Sequence, residues 1–348
     1  MDRPLKPRPT IEEVNKTVRK AYGKCYCLHP DSVKGTCEGG IVKAHTIQSS
    51  GGLSKIVDSS NHVYQFSPYP FKLQPSSFIE PNSIGINKAS TFTGFCQIHD
   101  TKTFERIETQ PFSAEKDQIF LLAYRALSRR LFMYRNDVVV TELMKKWVEG
   151  LTPIEQAFAA SYSSAGDLET KIYERQKGKY DKILQNGDYS LLKYYVVFID
   201  TIPEFLCSGS LILETDFSGR RYYQPDSKEI DLKIITFSII PIDDGGAIVY
   251  ASIDEGTDIQ PFFKSIINLD KHLLPNAITR YTFEYHEDNT FLSPIWWNKL
   301  DNLTKNAISK RALSDNIESG EMRPDDCLSD DGYNIVKWNI TKIMSNCF

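Results

Sequence analysis

Long uncharged apolar runs are absent from this 348-residue sequence, in which 41% of the residues are apolar and 25% are charged. A membrane-spanning helix needs about 20 consecutive apolar residues, so this absence argues against a transmembrane protein. The N-terminal segment 1–10 is charged and contains several prolines, whereas a secretory signal would have an apolar core there. We therefore expect a soluble, cytoplasmic protein that does not associate with a membrane.

Cysteine is sparse and odd in number, with seven residues in the whole chain. A disulfide scaffold would carry more cysteines at regular spacing, so the composition favours a reducing compartment. The sequence also lacks glycine-rich phosphate loops, the Gly-x-Ser-x-Gly nucleophile turn and the His-Glu-x-x-His zinc motif. These absences argue against the common nucleotide-binding, serine hydrolase and metalloprotease classes.

Charge is distributed unevenly along the chain. Residues 1–135 contain 19 Lys and Arg against 12 Asp and Glu, and residues 136–348 contain 22 against 33. A basic first part on an acidic body is typical of proteins that bind a polyanion, although docking of the two parts on each other would give the same balance. Nucleic acid is the partner that this pattern favours, with DNA preferred over RNA.

Metal-ligating residues are concentrated in the first 100 positions, which hold four of the seven cysteines and four of the six histidines. Structural zinc is usually held by two short-spaced ligand pairs from two parts of the chain. Cys96 and His99 form one such pair, and Cys27 and Cys37 are the preferred second half, with Cys25 as an alternative to Cys27. Free cysteines buried without a metal are the competing interpretation. The clustering predicts a structural zinc site.

The order of hydrophobic patterns predicts an α+β fold in three parts. Residues 1–112 would form a zinc-stabilised ββα module, residues 113–190 a helical connector, and residues 191–348 an antiparallel, β-rich part with C-terminal helices. The change from helical periodicity to short β-rich runs separated by glycine-containing turns sets the second boundary.

Within the first part, a helix over residues 10–20 is expected to begin at Thr10, which is a typical N-cap residue. Two short strands are predicted at 41–48 and 63–66, followed by a helix over 92–107. The connector is predicted to contain three helices. They cover residues 113–135, with Ser113 as the N-cap, then 138–150, then 152–185.

The β-rich part is predicted to contain four strands, followed by helices around Trp296 and Trp297. The strands are expected at 194–199, 211–213, 232–240 and 247–252. The paired tryptophans are interpreted as core residues, with stacking on nucleic-acid bases as the alternative.

Three sequence segments together resemble the HNH endonucleases of the ββα-metal class. They are Ala44-His45-Thr46-Ile47, the loop and strand over 49–66, and Phe95-Cys96-Gln97-Ile98-His99-Asp100. In that class, a strand ends in a catalytic histidine, a loop and a second strand follow, and a helix then carries a pair of zinc ligands. The resemblance covers about residues 25–108 and does not extend into the remainder of the chain.

The resemblance implies specific roles for two residues. His45 matches the general base that removes a proton from the attacking water, and Asp100 matches a ligand of a catalytic Mg²⁺ or Mn²⁺. His99 matches the second cysteine of the helical zinc pair. Ala44 stands where many members have a metal-binding Asp, and the family's middle Asn has no assigned counterpart.

Candidate nucleic-acid-binding residues lie in the first part and in the helix that follows it. We assign this role to Lys43, His62, Arg125, Arg129 and Arg130, since basic side chains neutralise phosphates without reading sequence. Two alternatives remain open. The arginines would also suit a solvated or ion-paired helix face, and His62 would suit an ordinary polar strand edge.

The sequence therefore predicts a metal-dependent, HNH-like endonuclease with a regulatory or sensor part. Small nuclease modules on large unrelated bodies resemble effectors of bacterial defence systems. A second hypothesis keeps the zinc module without catalysis, as a nucleic-acid-binding or scaffold protein. A third places the function in the acidic C-terminal part, which would bind a partner protein or a small signal.

Overall fold

The computed structural model of the protein describes residues 10, 12–13, 16, 19–20, 23–66, 80–145, 153–222, 232–256, 258–312 and 323–347. For residues 139–145, 153–165 and 287 it describes the backbone alone. No described helix is both long enough and apolar enough to cross a membrane.

Helices and antiparallel strands occupy separate stretches of the chain, so the predicted α+β class is confirmed. The described helices are α1 (Gln97–Thr109), α2 (Lys116–Lys145), α3 (Pro153–Asn186), α4 (Gln260–Ile267), α5 (Leu274–Tyr285), α6 (Pro294–Trp297) and α7 (Asn302–Ala312). The described strands are β1 (Ile41–His45), β2 (His62–Gln65), β3 (Asn82–Gly85), β4 (Thr91–Cys96), β5 (Leu192–Ile199), β6 (Phe205–Ile212), β7 (Ile234–Ile242), β8 (Gly245–Ile253), β9 (Thr290–Leu292) and β10 (Ile340–Ser345).

Eight strands form one antiparallel sheet in the order β10-β5-β8-β7-β6-β9-β2-β3. The four strands predicted in the C-terminal part correspond to β5 through β8, although each begins or ends at a different residue. Strands β2 and β3 come from the first part of the chain and join this sheet through β9. The sheet therefore crosses the boundary that the sequence placed at residue 112.

The ββα unit of the first part is built from different strands than the sequence predicted. β1 pairs with β4, with Ile41 opposite Cys96 and His45 opposite Thr91, and α1 follows β4 directly. The two strands predicted at 41–48 and 63–66 do not pair with each other, because β2 uses its two edges for β3 and β9. The expected helix over 92–107 is wrong at its start, since the Thr- and Phe-rich segment 91–96 is a strand.

Helix starts agree with the sequence in part. Thr10 and Glu13 form a capping box, in which the Glu13 amide donates to Thr10 Oγ1 at 3.2 Å and the Thr10 amide donates to Glu13 Oε2 at 2.8 Å. The predicted cap Ser113 lies outside the helix, because Ala114 takes a left-handed φ of 59° and α2 begins at Lys116.

Helix α2 is continuous through residues 135–138, where the sequence predicted a break between two helices. The predicted helix end at Gly150 and the predicted start at Thr152 lie outside the described residues. Helix α3 ends at Asn186, one residue beyond the prediction.

The large sheet lies between two groups of helices. Helices α2 and α3 and the β1–β4–α1 unit pack on one face, while α4, α5 and α7 pack on the other. Side chains alternate accordingly, so that Val196 and Val249 face α2 and α3. Trp297 is fully buried on the other face, where its Nε1 donates to Glu80 Oε2 at 2.8 Å, and Trp296 packs beside it. The core interpretation of the paired tryptophans is therefore confirmed.

Candidate metal centre and adjoining polar cleft

Four side chains converge at the start of α1, and they are the four that the sequence selected as zinc ligands. The ligand atoms of Cys27, Cys37, Cys96 and His99 all lie within 4.8 Å of one another. His99 Nδ1 is 3.4 Å from Cys27 Sγ, 3.7 Å from Cys37 Sγ and 3.2 Å from Cys96 Sγ. Tetrahedral zinc with ordinary bond lengths would place a sulfur and a nitrogen ligand about 3.6 Å apart. The spacing therefore suits a metal such as zinc.

Backbone hydrogen bonds hold three chain segments around this cluster. Cys96 ends β4 and is the N-cap of α1, so His99 lies in the first turn of the same helix. The segment that carries Cys27 runs along β4, where the Leu28 amide donates to the Gly94 carbonyl at 2.8 Å. Cys37 follows a short 3₁₀ turn over Pro30–Lys34 and lies close to the helix start.

Electrostatics explains why the thiols need a cation. Burial and the side-chain contact with Cys96 raise the pKa of the Cys37 thiol to about 12. At Cys96 burial acts in the same direction, but hydrogen bonds from the backbone of His99 and Glu38 outweigh it and lower the pKa. One thiolate is therefore favoured at the helix start, and three together require a positive ion between them.

His99 is held in one orientation by groups outside the cluster. Its Nε2 lies 3.2 Å from Thr36 Oγ1, which in turn donates to the Asp31 carbonyl at 2.7 Å. The ring of His29 stacks on His99 with centroids 4.1 Å apart and an interplanar angle of 10°. A hydrogen bond at Nε2 leaves Nδ1 as the ligand atom, as is usual for metal-binding histidines.

Cys25, the sequence alternative to Cys27, lies outside the cluster. Its exposed thiol contacts the Gly23 carbonyl at 3.4 Å.

Lys177 of α3 holds the segment that carries Cys27. Its ammonium donates to the Leu28 carbonyl and the Tyr124 hydroxyl, each at 2.8 Å. No sequence pattern indicated this contact, because it joins residues 149 positions apart.

His45 lies at the end of β1, where the resemblance placed a catalytic base. Its Nε2 is buried and has no hydrogen-bond partner among the residues that the structure describes. Burial lowers the pKa of the imidazole, and a hydrogen bond with the backbone of Ile86 partly opposes this effect. With Ile86 engaging the ring and Nε2 unpartnered, the neutral imidazole keeps one nitrogen available to accept a proton.

Asp100 belongs to a stripe along one face of α1. Asp100, Phe104 and Glu108 are spaced four residues apart, so their side chains follow one another along the helix. Arg125 of α2 places its guanidinium 3.9 Å above the centre of the Phe104 ring and donates to Glu108 Oε1. Asp100 Oδ1 is buried and no described residue hydrogen-bonds to it, and this burial raises the pKa of the carboxyl to about 6.

A cleft of about 440 Å³ opens beside this stripe. Glu108 and Arg125 line it on the helical side, and Thr46, the residue after His45, lines it at the end of β1. The turn between β7 and β8 also lines the cleft, with Asp243 and Asp244. The stripe and the cleft could have been suspected from the four-residue spacing along α1, but the position of Arg125 depends on tertiary packing.

The predicted nucleic-acid-binding arginines are turned into the protein. Arg125 is ion-paired with Glu108, and Arg129 and Arg130 both donate to Asp288 Oδ2, at 3.0 and 3.2 Å. The ion-paired alternative therefore describes this helix face. A freely solvated row of arginines is wrong, because these guanidinium groups bind carboxylates of neighbouring elements.

The two remaining candidates lie on strands of the first part. Lys43 is exposed on β1. His62 opens β2, and its ring Nδ1 is 2.7 Å from the Ser60 carbonyl, while its backbone amide donates to Asp58 Oδ1 at 2.9 Å. The ordinary strand-edge interpretation accounts for these contacts of His62.

Comparison of the chain with protein-family models, with curated proteins and with solved structures finds no match in any of the three.

Proposed function

We propose that the protein is an HNH-like endonuclease that hydrolyses phosphodiester bonds in nucleic acid, with His45 as the general base. The observation that carries this proposal is the buried Nε2 of His45 at the end of β1, which has no hydrogen-bond partner among the described residues, and Asp100 on α1 likewise has a buried carboxylate oxygen without one. The β1–β4 pair followed by α1 and the four-ligand cluster support it, since they give the strand, strand, helix order of that class.

A structural zinc at Cys27, Cys37, Cys96 and His99 is part of the proposal. Three thiolates and one imidazole form a soft donor set that suits zinc better than a hard cation. The ion would join the 24–40 segment to the end of β4 and the start of α1, and so fix the frame in which His45 and Asp100 lie.

Thr36 should tune this zinc site through the ring of His99. We expect Thr36→Val to lower zinc affinity about 10-fold, because loss of a hydrogen bond to a ligating histidine usually has an effect of this size. Competition with a chromophoric chelator measures the affinity. Thr36→Ser keeps the hydroxyl and should bind zinc as the wild type does; equal weakening in both variants would contradict the role of the hydrogen bond.

The fit of a catalytic Mg²⁺ or Mn²⁺ is poorer. Asp100 would be its ligand, with a buried oxygen that lacks a partner. Among the residues that the structure describes, however, the only group of three or more Cys, His, Asp or Glu ligand atoms close enough to hold an ion is the Cys/His cluster. Among the described residues, too few further ligands lie near Asp100 to surround a cation. The proposed reaction therefore uses the chain's own residues alone.

In the proposed reaction, neutral His45 accepts a proton at Nε2 from a water molecule. The water oxygen forms a bond to phosphorus, the bond from phosphorus to the leaving oxygen breaks, and the leaving oxygen takes a proton from solvent. Since Nε2 is covered in this structure, the end of β1 must open towards the adjoining cleft for the substrate to reach it. Exposed lysines around the module supply positive charge, at positions Lys43, Lys55, Lys88 and Lys102.

A non-catalytic nucleic-acid-binding or scaffold protein is the second candidate. The burial of His45 Nε2 and the lack of a closed cation site around Asp100 in the described residues favour it. Under this alternative, zinc and the exposed lysines would serve binding alone.

Incubation with nucleic acid separates the two candidates. We expect the purified full chain to convert supercoiled plasmid DNA to nicked and linear forms, and this should be followed with no added metal, with Mg²⁺ and with Mn²⁺. Single-stranded DNA and RNA are included as further substrates. Binding of these nucleic acids without cleavage of any of them would support the non-catalytic candidate and remove the nuclease.

A further inference from the structure

We propose that Arg125 is the phosphate-binding residue of the cleft, and that Glu108 is an internal anion which occupies Arg125 until a phosphate group replaces it. This inference rests on the proposed nuclease for the identity of the substrate, a phosphodiester. The exchange itself depends only on the Arg125–Glu108 pair and on the cleft that both residues line.

Arg125 is fixed in place before any ligand arrives. Its side chain is only 3% exposed, and its guanidinium carbon lies 3.9 Å from the centre of the Phe104 ring, which is fully buried. One terminal nitrogen donates to Glu108, while Nε is buried and has no partner within the described part of the chain. A guanidinium carries five N–H donors and matches the oxygens of a phosphate in a two-pronged arrangement. A phosphate would satisfy more of these donors than the single Glu108 contact does.

Glu108 is the more exchangeable member of the pair. Its side chain is 30% exposed, against 3% for Arg125, and it lies one residue before the end of α1. The carboxylate can therefore rotate into the cleft and be solvated when Arg125 is taken by another anion. Displacement costs little for the same reason, because a partly exposed carboxylate recovers its hydration.

Asp288 shows what a permanent arginine partner looks like in this protein. It accepts hydrogen bonds from both Arg129 and Arg130, and its backbone carbonyl accepts further bonds from Arg129 and from Gln65. The two arginines hold the pKa of this carboxyl at about 2, well below its usual range, despite the opposing effect of burial. Glu108 binds one arginine and lines an open cleft instead, as expected for an exchangeable anion.

Two further carboxylates limit what can bind in the cleft. Asp243 and Asp244 are exposed on the turn between β7 and β8 and line the same cleft as Arg125. Their carboxylates would repel a run of phosphates lying across the cleft. We therefore assign the cleft to one phosphate group at its floor, with the rest of the strand directed along the lysine-bearing surface of the module.

Titration with inorganic phosphate tests the exchange without depending on cleavage. We expect Glu108→Gln to bind phosphate at least 10-fold more tightly than the wild type by calorimetry, since the competing charge is gone and the side-chain shape is kept. The double variant Arg125→Met with Glu108→Gln should not bind, and it leaves no unpaired carboxylate in the cleft. Arg106→Met is the matched control, because Arg106 is also ion-paired from α1 but lies outside the cleft.

Equal phosphate affinity in the wild type and Glu108→Gln, or binding retained in the double variant, would overturn the proposal. Thermal unfolding and zinc content show whether the double variant folds. If it does not fold, the phosphate affinities of Glu108→Gln and the wild type still test the proposed exchange. Plasmid cleavage is measured in parallel to keep the two proposals apart. If phosphate binds as predicted but neither the wild type nor any variant cleaves the plasmid, the phosphate site is supported and the nuclease proposal is wrong. If the plasmid is cleaved but phosphate does not bind as predicted, the nuclease proposal is supported and the phosphate site is wrong.

Discussion

Replacing Cys96 with serine should abolish zinc binding at the proposed site and lower the stability of the first part of the protein by on the order of 5 kcal/mol. Cys96 is the junction of the cluster, because it ends β4, caps α1 and lies 3.2 Å from His99 Nδ1. In such sites zinc binding stabilises the folded state directly, because the four ligands come together only when the chain folds.

Apart from the proposed zinc ion, the 24–40 segment contains little regular secondary structure to stabilise it. The helical content described between residues 24 and 40 is one short 3₁₀ turn, and several of the backbone hydrogen bonds that hold the segment are directed to β4 and the start of α1. Zinc content by elemental mass spectrometry and the rate of proteolysis within residues 24–40 measure the two expected effects. One zinc per chain in the wild type and none in the variant is the expected count.

Cys25→Ser is the matched control for this substitution. Cys25 is two residues from a ligand, but its exposed thiol lies outside the cluster, so the control should keep both zinc and resistance to proteolysis. Loss of zinc in Cys25→Ser would show that Cys25, which the sequence offered as an alternative to Cys27, is the ligand. Full zinc occupancy in Cys96→Ser would contradict the proposed ligand set.

The ligand set could be chosen from the sequence because the chemistry of zinc restricts it strongly. Few residue types bind zinc, and most of the Cys and His residues lie within the first 100 positions. Membership of the set did not require knowledge of the strand pairing. Cys27, Cys37, Cys96 and His99 were thus placed together even though the secondary structure around Cys96 was predicted incorrectly.

Strand pairing was harder to predict because local patterns do not identify partners. The segments 41–45 and 62–65 both have strand character, but neither segment carries a local signal for the strand that lies beside it. The structure pairs them with β4 and with β9, which is more than 200 residues from β2. Val63 of β2 is buried in the same core cluster as many residues of the C-terminal part, and a local pattern cannot reveal such distant neighbours.

The arginines of α2 show that the sequence does not reveal which charges are neutralised by distant residues. Their positive charges are visible in the sequence, but Glu108 and Asp288, which neutralise them, lie 17 and more than 150 positions away. A basic balance over residues 1–135 therefore overstates the positive charge that is free to meet nucleic acid. Exposed lysines on β1, α1 and the loops of the module account for a part of this charge that remains accessible.

Substitution of His45 by alanine should reduce cleavage by about 10²- to 10⁴-fold, the usual contribution of a positioned general base. Zinc content should change little, because His45 is not one of the four clustered ligands, whereas loss of the hydrogen bond between the ring and the Ile86 backbone should lower the melting temperature modestly. His272→Ala is the matched control, since His272 is exposed in the C-terminal part. Equal cleavage rates in His45→Ala and His272→Ala would remove His45 from the mechanism.

The pH dependence gives an independent check on the same residue. A general base must be neutral, and burial places the pKa of His45 below the ordinary value of 6.5. The neutral form therefore predominates at pH 7 and persists as the pH falls through 6.5, so the cleavage rate should decline only at lower pH. Rates measured from pH 5 to 8 would show this acid limb in the wild type, whereas the residual activity of His45→Ala should lack it. A half-maximal rate at or above pH 6.5 would contradict a buried imidazole as the base.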